Sequence, residues 1–172
     1  MKEQQMRTMS KPYARPLLAA MLALLAGAAW ADVTVSYVKP DDFADVPRNA
    51  VDRERVLKDF SDYFATFNKR LPAGQNLKIE VLDIDMAGRL WPRRSGGEDI
   101  RVLNGGADWP RMHLRYTLEQ DGKVLRSGDE QLSNMNYMQG VSRYSDGDTL
   151  RYEKQMLDDW FKKTIVPQVA AR

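Results

Sequence analysis

The chain has no cysteine. That removes disulfides, thiolate nucleophiles and thiolate metal sites together. It has one histidine, His113, so a zinc site built from several imidazoles is excluded as well. Any Ser–His–Asp relay would have to run through that residue, and no serine stands in a Gly-x-Ser-x-Gly frame. The glycines fit neither a phosphate loop nor a dinucleotide fingerprint. Asp146-Gly147-Asp148 is too short for a calcium loop. Long apolar runs are also scarce: there is one, and it lies at the N-terminus.

That run, Pro16–Trp30, follows Lys2, Arg7, Lys11 and Arg15 and ends in Ala29-Trp30-Ala31. A basic head, a short apolar centre and an Ala-x-Ala exit predict a secretory signal peptide over residues 1–31. The run is shorter than the ~20 residues a spanning helix needs, so no transmembrane span is expected after cleavage. With no cysteine behind it, lipid attachment of the bacterial lipoprotein kind is excluded. The expected address is the periplasm of a Gram-negative bacterium, or the medium. The full chain carries 26 basic and 24 acidic side chains, but residues 32–172 carry 22 and 23. A net charge of −1 gives that portion no electrostatic footprint for nucleic acid. Residues 32–172 are expected to form a single α/β domain whose core holds without crosslinks.

The remaining sequence alternates clearly. Val33–Val38 is β-branched and strand-like, and Asn49 is placed to cap a helix with Val56, Leu57, Phe60, Tyr63, Phe64, Phe67 and Leu71 on one stripe. Pro72 and Gly74 stop that helix. Leu77–Asp85 opens as a strand whose apolar phase changes between Val81 and Ile84, the mark of a bulge or a switch of faces. Strand, helix and strand over 33–38, 51–71 and 77–84 predict a parallel crossover. Ile100–Leu103 is a short apolar piece. Met112, Leu114, Tyr116 and Leu118 then alternate up to Asp121-Gly122, a strong hairpin signal with Lys123–Leu132 as its second arm. A plain two-residue loop would set Leu118 opposite Leu125 and His113 opposite Glu130. Asp148 is expected to cap a last helix with Leu150, Leu157, Trp160, Phe161 and Ile165 inward. The expected fold is α+β: a two-layer α/β sandwich, with a mixed sheet of four to five strands and two amphipathic helices on one face.

Two clusters carry the chemistry that remains. Asp83 and Asp85 flank Ile84, so a regular strand points both carboxylates to one face, where they can share a cation or a proton. They are the metal or acid–base candidates, with His113 or Glu153 as a third group. Trp-Pro-Arg occurs twice, at Trp91-Pro92-Arg93 and Trp109-Pro110-Arg111. Trp91, Arg93, Arg94, Trp109 and Arg111, with Arg101 nearby, are the candidate ligand-binding set, because arginine forks carboxylates and tryptophan stacks. His113, between Arg111 and Arg115, reads as a cross-strand or solvent-facing residue.

Ile79–Gly88 (IEVLDIDMAG), Asp108–Tyr116 (DWPRMHLRY) and Leu150–Phe161 (LRYEKQMLDDWF), with the first strand and helix, resemble an exported bacterial family filed as domain of unknown function 3016. The resemblance implies no activity, cofactor or catalytic residue. It does single out Asp83, Asp85, Gly88, Asp108, Trp109, Pro110, Tyr152, Glu153, Asp158 and Trp160 as positions that define the framework. With no nucleophile–base set and no strong metal set, the expected function is non-enzymatic. The expected partner is an envelope protein or a small anionic or sugar ligand, with no cofactor. A metal-dependent or acid–base enzyme using Asp83 and Asp85 is the alternative.

Overall fold

The first strand, β1 (Asp32–Tyr37), lies parallel to β2 (Gln75–Asp85), with Val33 beside Leu77 and Val35 beside Ile79. The computed structural model describes residues 30–91 and 100–166. Between the two strands runs α1 (Ala50–Ala65), which starts where expected: the Asn49 side chain accepts the amide hydrogens of Val51 and Asp52. The regular helix is shorter than its apolar stripe. Thr66–Arg70 tightens into a 3-10 turn, which places Phe67 in the core before Leu71 leaves the helix.

Four further strands and one helix complete the described layers. β3 (Arg89–Trp91) and β4 (Ile100–Val102) pair with each other as a separate two-stranded ladder. β5 (Arg111–Gln120) runs antiparallel to β2, and β6 (Lys123–Ser133) antiparallel to β5. The main sheet therefore has the order β1-β2-β5-β6. α2 (Arg151–Trp160) continues into a wider π turn, Phe161–Ile165, whose Thr164 carbonyl accepts from Arg126 of β6.

Both helices bury their apolar stripes on the same face of this sheet. Phe60, Phe64, Phe67, Leu157 and Phe161 share one core with Leu77, Ile79, Val81, Ile84, Leu114 and Leu118. Arg70 ties the end of α1 to Asp158 of α2 at 2.6 Å, and its guanidinium lies 4.4 Å from the Phe161 ring centroid. Trp160 meets Tyr116 edge to face. The opposite face of the sheet carries Lys78, Glu80, Asp83, Asp85, Arg111, His113 and Arg115, and no described element is layered on it.

The phase break in β2 is a bulge. The pairing passes from Val81–Leu114 directly to Asp83–His113, so Leu82 is the extra residue. A second bulge corrects the expected hairpin register. The loop is indeed the two residues Asp121-Gly122, both with positive φ (51° and 76°) as the tight turn requires. Leu125 is extra, however, so Leu118 faces Arg126 and His113 faces Gln131. The slip places Leu132 against the core and sends Asp129 to the charged face. Asp148 stands two residues ahead of the helix boundary rather than at it. Its carboxylate accepts the Leu150 amide hydrogen, and Leu150, not Asp148, stands at the helix boundary.

Candidate functional site

Beyond the bulge, β2 delivers Asp83 and Asp85 to the uncovered face of the sheet. Asp83 Oδ1 accepts the Ala44 amide hydrogen at 2.7 Å, which pins the linker ahead of α1. Asp85 pairs with Arg111, its cross-strand partner, at 3.0 Å. Burial pushes the Asp85 carboxyl above its usual range, against the pull of Arg111 and with help from Asp45 and Asp83. The Arg111 guanidinium in turn lies 5.1 Å from the Trp109 ring centroid. Asp83, Asp85, Trp109, Arg111, His113 and Met135 line a depression of ≈ 420 Å³ at this end of the sheet. His113 Nε2 bonds Asp129 at 2.6 Å, and that hydrogen bond holds the Asp129 carboxyl below its ordinary value.

The structure thus brings together Asp83, Asp85, Trp109 and Arg111 from the two clusters read in the sequence. Trp91 is elsewhere: it pairs with Ile100 in the small ladder and is 58% exposed. Arg93 and Arg94 lie outside the described residues. Arg101 uses its fork on Asp45, at 2.6 and 3.3 Å, and on the Ala87 carbonyl. Among the described residues no group of three or more His, Asp or Glu side chains is placed to hold a metal ion.

A second centre forms where β2 ends, at Met86-Ala87-Gly88. Glu153 of α2 is 1% exposed, and its Oε1 accepts the Ala87 amide hydrogen at 2.7 Å. Its Oε2 has no hydrogen-bond partner among the described residues, and burial raises the carboxyl above 4.5. The Ala87 carbonyl accepts from Arg101, and the Gly88 amide donates to the Asp108 carbonyl. The Asp108 carboxylate accepts from the Asn104 amide and the Tyr137 hydroxyl, which hold it below its ordinary value. Tyr137 packs edge to face on Tyr152, with centroids 4.8 Å apart. At Gly88, φ is +83° and a Cβ would stand 2.6 Å from the Val102 carbonyl oxygen, so only glycine lets β4 approach this closely.

The three sequence motifs therefore meet in space at one corner. The sequence carries the pattern of a known family across residues 31–163, which takes in every strand and α2. The chain belongs to the family described as protein of unknown function (DUF3016). No curated protein and no solved structure matches it. Of the positions the DUF3016 resemblance singles out, Gly88, Asp108, Tyr152 and Glu153 all sit at the corner. Arg101, Asp45 and Tyr137 complete it and were not among them. Arg101 left one signal, a charge inside an otherwise apolar tripeptide.

Proposed function

We propose that this DUF3016 chain is an exported, non-enzymatic binding domain that takes a small sugar-bearing ligand on the uncovered face of its sheet. The carrying observation is the depression that sets the Trp109 ring beside Arg111, Asp83, Asp85, Gln131 and Ser133. An aromatic platform ringed by hydroxyl-accepting and hydroxyl-donating side chains suits the alternating apolar and polar faces of a sugar ring. Arg111 already carries Asp85, so a free anion would meet a neutralised cation next to a second carboxylate. That balance favours a sugar over an anion. Export rests on the basic head, apolar centre and Ala-x-Ala exit of residues 1–31.

The test is a nuclear magnetic resonance titration of the chain with glycan fragments and, separately, with small organic acids. Saturable shifts confined to β5, β6 and the end of β2, lost in Trp109→Ala, are the expected result. Shifts with neither panel would reject the reading, and shifts with the acids alone would replace the sugar by an anion.

The enzyme alternative keeps one supporting observation: Asp83 is the direct cross-strand neighbour of His113. Each of the three groups already has a partner, in Ala44, Arg111 and Asp129 respectively for Asp83, Asp85 and His113.

A further inference from the structure

On the helix side of the Met86–Gly88 corner lies a crevice of ≈ 410 Å³, distinct from the sheet-face depression. Its walls come from the first turns of α1, from β3, from the end of β4 and from the segment leading into α2. Val56, Met86, Leu90, Leu103 and Leu150 are among its apolar lining residues. The volume and the mostly apolar wall are those of a small-molecule site. The floor is fixed in advance by the three backbone anchors at Ala87 and Gly88, so little ordering remains for a ligand to bring about.

The charges around the crevice are not equivalent. Arg101 is held by both oxygens of Asp45, and Asp148 is held by Lys154 at 2.7 Å. Arg55 pairs with Asp52, both well exposed. Arg151 is different. Its side chain is only 20% exposed, its guanidinium lies over the Tyr152 ring at 4.6 Å, and it donates to the Tyr152 hydroxyl. Its acidic partner, Asp146, is 100% exposed. A fully solvated carboxylate contributes little to an ion pair, so it can be exchanged for another anion at low cost. A positioned guanidinium with a replaceable counter-ion, opening on an apolar wall, is a receptor for an acidic head on an apolar tail.

We propose that this crevice binds a single-chain amphiphile with an acidic head group, the head on Arg151 and the tail against Val56, Leu90 and Leu103. The proposal does not depend on the sugar reading, since the two sites share no lining residue.

The experiment is titration of the chain with 11-(dansylamino)undecanoic acid, followed by displacement. A saturable, one-to-one fluorescence rise is expected, reversed by laurate and by dodecyl phosphate but not by acetate or dodecyl maltoside. Arg151→Gln should weaken binding by about tenfold, the loss of one charge-assisted hydrogen bond. Leu90→Asp, at a partly exposed position that tolerates charge, should abolish it, with thermal melts confirming that both variants fold. Displacement by only one of the two acids would assign the head as carboxylate or phosphate and keep the site. No saturable rise, or a rise unchanged in both variants, would overturn the proposal.

Discussion

Glu153 and Ala87 are 66 residues apart in sequence and joined by a hydrogen bond of 2.7 Å, with the carboxyl buried. Through that bond α2 holds the end of the central strand. Burial raises that carboxyl: a charged one would lie among buried atoms with Asp45 nearby, and the hydrogen bond from the Ala87 amide and the charge of Arg101 offset this only in part.

The pH dependence follows from that burial. Because the folded chain holds the Glu153 proton more tightly than the unfolded chain, the associated stability is complete below about 4.5, the ordinary glutamate value, and is lost as pH rises through the folded value. Urea denaturation across this range should show the fall in the wild type. In Glu153→Gln the slope should be reduced. Glu153→Ala removes the acceptor and strands the Ala87 amide, at about 1–3 kcal/mol. A Gln variant with the wild-type slope would assign the effect to another group.

Gly88→Ala should destabilise the fold by more than ~1 kcal/mol, since it combines a positive φ with a Cβ driven against a backbone carbonyl. Amide exchange should locate the damage in β3 and β4, with β5 and β6 still protected. Uniform loss of protection would mean that the corner and the main sheet unfold as one unit.

For Asp83 and Asp85, titration with magnesium, calcium or manganese should shift the melting temperature no more than it does in the Asp83→Asn, Asp85→Asn double variant. The partners that both carboxylates already have motivate this expectation. A larger shift in the wild type would revive the metal-dependent alternative.

His113→Ala should raise the Asp129 carboxyl toward its ordinary value, because the His113 hydrogen bond is the main cause of its depression. Carboxyl carbon shifts followed by pH titration would report it. The stability this contact supplies is present above the unfolded aspartate value and lost on acidification. An unmoved Asp129 would assign the depression to Arg115 instead.

Much of the fold was legible because its signals are local. The stripe of α1, the Asn49 cap, the alternation of β5 and the Asp121-Gly122 turn each lie within a few residues of chain. The bulge at Leu82 was legible too, since strong apolar residues stand on both sides of it. The bulge at Leu125 was not: β6 has few apolar residues, and adjacent Val124 and Leu125 allow two registers. β3 and β4, three residues each, are too short to show a period. At the candidate sites, the shared face of Asp83 and Asp85 follows from their spacing. The convergence of Asp45, Arg101 and Glu153 on Ala87 does not, because it is created by packing between distant segments.

The two bulges also tell where the chain can change length. Removing Leu82 or Leu125 leaves each flanking residue opposite its present partner and on its present face. Removing Gln131 instead would carry Ser133 to where Leu132 now packs and turn Leu132 toward water. Single-residue deletions should therefore be sorted by position: two spare places absorb them, and elsewhere in these strands they exchange the inside of the sheet for its outside.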